Sequence, residues 1–444
     1  MLTHGALCSR SLRVFSKHTY RDGGCFFASK RSAAASNYTT QKGLRKCFFM
    51  KRMMMHKASS SDDDASLEER VFAQTFVSDD DDVRLFECAK SLSARDFANL
   101  IARHNPDALG RKMKSEPKLR NMGKAKSSFN IALSALVENG RFEEVEKMFS
   151  IWREEFPRVD VDVVSVSLVA SALRQTREDI ADVERFVFEQ KSRHLIKRPN
   201  KKVARKKINA NKYERDGLLP MGVVYEDEDV IAVCKTSGIP STSDPSTPSV
   251  SDFLMSMKKD DPSFSLSEMN GADARGVVHR LDKLTSGVML LAKNDVTHCE
   301  LVSAFYRRKT KKVYNAIASG IFEDDEGEID FPVDNREAYS KYAVLERLER
   351  GESSFVEVMP RTGRKHQIRV HLSSIGHPLV NDALYTPKKI RKSDENSTVV
   401  KPKSSSFYLH ARSLELPHPS DASKMLKLEA PLSASFLAEI DRLR

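Results

Sequence analysis

Asp282 is a lone carboxylate set among cations. His279 and Arg280 precede it, Lys283 follows it, and a Thr285-Ser286-Gly287 turn leads into the apolar run Val288 to Ala292. That run has the length of a buried strand. A carboxylate at the lip of such a strand, beside basic groups, stays ionised and within reach of solvent. It is then competent as a nucleophile or a base. The same residues also read as an ordinary surface Asp capping a neighbouring loop amide.

Further strings follow in the chain: Lys312-Val313-Tyr314, then Arg361-Thr362-Gly363-Arg364-Lys365-His366-Gln367-Ile368-Arg369-Val370-His371, then Gly376-His377-Pro378-Leu379 and Leu409-His410-Ala411. With His279 to Gly287 they resemble, in type and order, the motifs of the RluA-like pseudouridine synthases. The resemblance covers roughly residues 220 to 440. It implies an α+β domain with a mixed, mainly antiparallel sheet, and isomerisation of specific uridines in structured RNA, ribosomal or transfer, with messenger RNA left open. Asp282 falls on the family's nucleophile or base, and Tyr314 on the ring that stacks on a flipped uracil and is a candidate to take its C5 proton. Arg369 falls on the counter-ion of Asp282, and Arg280 on the side chain that fills the gap in the RNA stack. His279, Arg364, His366 and Gln367 are expected to contact substrate. An isomerisation requires no cofactor and no metal, and no phosphate loop or metal-ligand cluster is present in the sequence. RNA is the expected partner, and no obligatory protein partner is evident. Thr236 stands where the family usually has Pro, and Asn381 where it usually has Gly. The competing readings are a catalytically idle RNA-binding or ribosome-assembly factor on the same fold, and a helical scaffold whose C-terminal half is incidental.

The elements that must position these residues are legible in part. Two strand-like runs flank an acidic turn between Val223 and Lys235. Residues 241 to 274 are rich in Ser, Asp and Pro around a short helix, Val250 to Met257, and suit a substrate clamp. Val296 to Arg307 suits a helix with Leu301, Val302 and Phe305 inward. Lys311 to Ser319 alternates as a strand, and Tyr339 to Leu348 and Ser354 to Met359 read as two more. Ile368, Leu372 and Ile375 share a face, and Gly376 and Pro378 supply a stop, so Gln367 to Ile375 reads as a helix. Residues 388 to 406 read as a disordered insertion before a closing strand from Phe407.

A chain of 444 residues is too long for one typical core, so the expected architecture is multidomain. The formal charge of +11 favours a polyanionic partner. No run of eighteen apolar residues suggests a membrane span. The six cysteines are scattered, with no Cys-x-x-Cys pair, which points to neither a zinc knuckle nor a disulfide framework.

Residues 1 to 60 carry twelve Lys or Arg and one acid, the composition of an organellar transit peptide. Mitochondrion is the first expectation and plastid the second. If the segment is instead a disordered basic tail, cytoplasm or nucleus follows. Residues 61 to 82 read as an acidic linker and 83 to 190 as an α-helical, repeat-like domain. Ser134-Ala135-Leu136 recurs as Ser171-Ala172-Leu173, and Asn139-Gly140 marks a turn between amphipathic helices. Residues 127 to 190 thus resemble pentatricopeptide hairpins, a family that binds single-stranded RNA. The alternative is a plain helical domain that docks on the synthase half or on a partner. Residues 191 to 219 read as a basic linker, with ten Lys or Arg and no acid from Lys191 to Lys212. On this division the site is complete without the helices, and a chain starting near Leu218 should keep the chemistry.

Overall fold

The computed structural model describes residues 119–155, 161–196, 221–242, 248–386 and 407–444. The leader, acidic-linker and 388–406 readings lie outside these residues, as do most of the basic linker and the first part of the helical region.

Among the described residues four helices come first: α1 (Leu119–Glu138), α2 (Phe142–Glu155), α3 (Val163–Thr176) and α4 (Ile180–Ile196). On α1, Phe129, Ala132, Leu133 and Leu136 fall at helical spacing and are buried, as are Val145, Met148, Phe149 and Trp152 on α2. The rings of Phe129 and Trp152 stack at 4.1 Å. The expected turn is present at Asn139 and Gly140. Gly140 takes φ 69°, and the Arg141 N–H returns to the Leu136 carbonyl at 2.9 Å, so the left-handed residue closes the helix end. Helix α3 is buried all round from Ser165 to Leu173. A helix apolar on every side must be covered on every side.

Its second cover is the C-terminal domain. The apolar cluster of α1 to α4 takes in Met269 and Cys299, with Val296 and Tyr306 packed at its edge. Cys299, Val296 and Tyr306 belong to α6 (Asp295–Tyr306). Polar contacts stitch the seam: Ser171 Oγ donates to Glu300 (3.0 Å), Lys191 to Asp295 (2.6 Å), and Arg174 to the Ser420 carbonyl (2.9 Å). Glu138 receives both Arg307 (3.2 Å) and Lys309 (2.7 Å). The helices therefore dock on the domain that carries Asp282.

That domain is built on nine strands: β1 (Val223–Glu226), β2 (Val230–Lys235), β3 (Ser286–Ala292), β4 (Lys311–Ser319), β5 (Glu326–Asp330), β6 (Tyr339–Leu348), β7 (Ser353–Pro360), β8 (Leu409–His418) and β9 (Asp421–Glu429). Their order is β1-β2-β3-β8-β4-β7-β6-β5, with β9 also on β8. Among the described strands only β3 and β8 pair in parallel, so the sheet is mixed and mainly antiparallel. One edge of β8 pairs with β4. Its other edge meets β3 at His410 and Ala411, then β9 from Ser413 onward, so the sheet forks there.

The apolar run Val288 to Ala292 is explained by burial on both faces. Met289 and Leu291 pack with α5 (Val250–Met257), while Val288, Leu290 and Ala292 pack with α6 and β9. Helix α7 (Gln367–Ser374) buries Ile368 and Leu372 against β4 and β7, and α8 (Ala434–Leu443) covers the opposite face with Phe436 and Ile440.

Two expectations change. Helix α5 sits in the stretch 241–274 as expected, but Phe264, Leu266 and Met269 beyond it are buried, and no described residue from 248 to 274 borders the cleft around Asp282. Phe264 and Leu266 pack in the core beneath the sheet and Met269 reaches the helical core, so the described part of that stretch does not line the cleft. Helix α6 does turn Leu301 and Phe305 toward the sheet, yet its other side is buried too, against α3. A one-faced pattern hid this because His298 and Ser303, buried on that helix, do not read as apolar.

Candidate active site

Asp282 lies on the short loop before β3, and that loop is pinned from beneath by residues 235 to 241. Ser241 Oγ donates to the Leu281 carbonyl (2.7 Å) and accepts from the Leu281 N–H (3.0 Å). Ser237 Oγ donates to Leu284 O (2.7 Å), and the Gly238 N–H to Lys283 O (2.8 Å). The centre of this clamp is Lys235, fully buried at 0% exposure. Its ammonium donates to the carbonyls of Ile239 (2.8 Å), Lys283 (3.1 Å) and Thr236 (3.2 Å). Burial pulls its pKa down to about 7, against the pull of the nearby Asp282 charge. Three carbonyl acceptors compensate a buried cation that would otherwise be costly. In the sequence alone Lys235 reads only as the end of a strand-like run.

Around Asp282 opens a cleft lined by Arg280, Thr285, Lys312, Tyr314, residues 362 to 369 and Leu409. The Asp282 side chain is 20% exposed there. Tyr314 stands on β4 at a bulge, opposite Ala411 of β8 and Val358 of β7. Burial first, then the Asp282 charge, push its hydroxyl up to about 12, so it remains a neutral phenol. Lys312 reaches the Thr362 carbonyl (3.4 Å), and burial lowers its pKa to about 8.

Arg369, expected as the counter-ion of Asp282, has a stronger partner. Its Nε and Nη2 donate in a fork to Asp382 at 2.6 and 2.9 Å, both groups buried. The remaining Nη1 lies 3.5 Å from Asp282 Oδ2. The guanidinium also lies over the rings of Phe407 (4.3 Å) and Tyr385 (4.8 Å). Asp382 thus fixes the arginine that faces Asp282. Nothing local in the sequence marks it, because it sits in a separate turn after α7.

The other expected substrate contacts divide. Arg280 is exposed on the lip of the cleft. Arg364 lines the cleft and donates to the Glu337 carbonyl (2.9 Å). His366 faces Asp282, with Nε2 3.6 Å from Oδ1, and its Nδ1 meets the Tyr385 hydroxyl at 2.8 Å. Gln367 borders the cleft but its amide is used internally: Oε1 accepts from Thr362 Oγ1 (2.7 Å) and the Arg364 N–H (3.0 Å), while Nε2 donates to Tyr339 O and Ser340 Oγ (both 3.0 Å). Through these bonds it staples β6 to the 362–364 turn. His279 is also corrected. Its Nε2 accepts from the Leu290 N–H (2.9 Å), its ring stacks on Phe305 of α6 (4.7 Å), and it is not among the cleft residues. Thr285 adds a buried hydroxyl that has no hydrogen-bond partner among the described residues. Those residues contain no cluster of three or more His, Cys, Asp or Glu side chains suited to a metal ion.

The family model for RNA pseudouridylate synthase matches residues 229–374. An RNA pseudouridine synthase of Bacillus subtilis, YlyB, is 34% identical over 242 residues, spanning 51% of this chain and 74% of that protein. The chain belongs to the RluA-type RNA pseudouridine synthases. A further synthase, from Aquifex aeolicus, is 39% identical over 184 residues, 38% of this chain and 56% of the relative. The dual-specificity synthase RluA of Vibrio cholerae is 36% identical over 180 residues, 37% and 68%. The family match lies within the sheet domain and stops short of β8, so the docked helices are an addition outside the matched span.

Proposed function

We propose that this synthase isomerises specific uridines to pseudouridine in structured RNA, ribosomal or transfer, with Asp282 as the reacting carboxylate. The observation that carries the reading is the Asp282 carboxylate at the edge of a cleft, 3.5 Å from an Arg369 guanidinium itself locked to Asp382. The reaction breaks N1–C1′ and joins C5 to C1′. Asp282 attacks C1′ or the uracil and later leaves, or takes a ribose proton and later returns it. Tyr314 offers a ring to the flipped uracil, and Arg280 fills the space that the base vacates in the RNA stack. Flipping costs a few kcal/mol, which phosphate contacts from Lys312, Arg364 and their neighbours offset. Residues 1 to 60, read as a transit peptide, direct the enzyme to organellar RNA.

The test is tritium release from RNA carrying [5-³H]uridine. Wild-type protein is expected to release it, and Asp282→Ala to lose turnover while keeping RNA affinity within a few-fold. Substantial pseudouridylation by Asp282→Ala would remove the assignment.

A further inference from the structure

The isomerisation has a second half, and it needs a base. Once C5 has joined C1′, the C5 carbon still carries its hydrogen. That proton must leave before the ring recovers its double bond. It leaves beside C1′, and therefore beside Asp282, the group that acts on the sugar.

Three side chains besides Asp282 are candidates to receive it: Lys312, Tyr314 and His366. Lys312, its ammonium on the Thr362 carbonyl (3.4 Å) and its pKa lowered only to about 8, is still a cation at neutral pH. Tyr314 is a poor one, because its hydroxyl stays protonated up to about pH 12. His366 is differently placed. It precedes α7 with φ 58°, a left-handed conformation uncommon for a residue with a side chain, and it makes no capping bond to the helix. Its ring instead borders the cleft, with Nε2 3.6 Å from Asp282 Oδ1, too far for a hydrogen bond. Its Nδ1 is engaged by the Tyr385 hydroxyl at 2.8 Å, and the same Tyr385 ring lies under Arg369. If Nδ1 carries the proton, Nε2 presents a lone pair to the cleft.

We propose that His366 is a catalytic residue of this synthase, the base that takes the C5 proton of the uracil through Nε2 while Nδ1–H is held by Tyr385. The proposal rests on the isomerase reading above. The step balances without a co-reactant. The C5–H electron pair becomes the C5=C6 double bond, the C6=N1 pair moves onto N1, and N1 takes a proton from the imidazolium or from water. Asp282, released from the sugar, lies beside the imidazolium as it forms. The charged groups around the ring are Asp282, Asp382, Arg369 and Lys365; burial, Arg369 and Lys365 favour the neutral ring, and the two carboxylates oppose them.

The experiment uses full-length protein under single-turnover conditions with RNA carrying uridine, [5-²H]uridine or 5-fluorouridine. Fluorine at C5 cannot leave as a proton, so 5-fluorouridine reports only the steps through C5–C1′ bond formation. His366→Gln and His366→Gly are compared, since glycine accepts the left-handed backbone. Both are expected to form pseudouridine roughly 10² to 10⁴-fold more slowly. They should show a larger C5 deuterium effect than wild type, and consume 5-fluorouridine at near wild-type rate. Imidazole should partly rescue His366→Gly. Equal slowing on both substrates with no change in the isotope effect would reduce His366 to a positioning group and overturn the proposal. So would a rate within three-fold of wild type. Asp282-dependent consumption of 5-fluorouridine by wild-type protein tests the isomerase reading separately; its absence overturns both.

Discussion

Arg369 shows how one side chain can serve structure and chemistry together. Two of its nitrogens satisfy Asp382 and the third is left for Asp282. The pair is buried, with Arg369 at 7% and Asp382 at 1% exposure, and Asp382 also accepts the Leu384 N–H (3.1 Å). Removing one member of a buried ion pair leaves the other uncompensated. Asp382→Ala is therefore expected to destabilise the fold by about 3–5 kcal/mol, read from the denaturant midpoint. Asp382→Asn keeps the shape and half the hydrogen bonding, and should lower the single-turnover rate more than it lowers RNA affinity. Affinity falling in step with rate would mean that Asp382 supports the binding surface instead of the Asp282 site.

At the scale of elements, the site depends on the parallel contact between β3 and β8. Gly287 pairs with Ala411 there at φ 110°, and a Cβ on Gly287 would collide with the Ala411 backbone. Gly287→Ala should cost about 3 kcal/mol or more and suppress activity, because the Asp282 loop opens directly into β3. Circular dichroism melts and turnover check both. Helix α6 carries a second dependence. His298 is buried on it, near Asn270 (3.1 Å), and burial holds its pKa down to about 4. His371 and His410 are shifted the same way. The unfolded chain takes up these protons below about pH 6.5, whereas folded His298 does so only near pH 4. Stability is thus undiminished above 6.5 and falls as pH drops toward 4, by about 1.4 kcal/mol per pH unit for such a histidine. Urea midpoints between pH 7 and 4 test this, and His298→Gln should flatten the slope.

For the whole molecule, the seam between helices and sheet domain decides what can be removed. The expectation that a chain starting near Leu218 keeps the chemistry treated the helices as a detachable module. In the structure they share a core with Met269 and Cys299 and form one compact unit with the sheet domain. Helix α6 then leads through Arg307 and Lys309, both bound to Glu138, into the strand that bears Tyr314. Truncation before 218 bares Val296, Cys299 and Tyr306 and removes the Ser171 partner of half-buried Glu300. The truncated chain is expected to be poorly soluble, with a lower denaturant midpoint. A soluble truncated protein with normal single-turnover kinetics would show that the seam is dispensable.

Several features were legible in the chain because short-range chemistry writes them. The capped helix Val250–Met257, the strand Tyr339–Leu348 and the turn at Gly140 follow from side-chain periodicity and backbone preference alone. The strings around Asp282, Tyr314 and Arg369 marked three residues that the fold does bring to one cleft. Strands β5 and β9 and helix α8 were not anticipated; β9 is mostly exposed and offers little apolar alternation to read. The tertiary structure alone decided who holds whom. Lys235 reaches Lys283, 48 residues away, and Arg369 turns to Asp382 across a loop. His279 turns inward while Arg280 stays at the lip, and one helix, α6, is buried on both sides. These depend on pairing register and on which face meets which, and a periodic pattern records that a face is buried without recording against what.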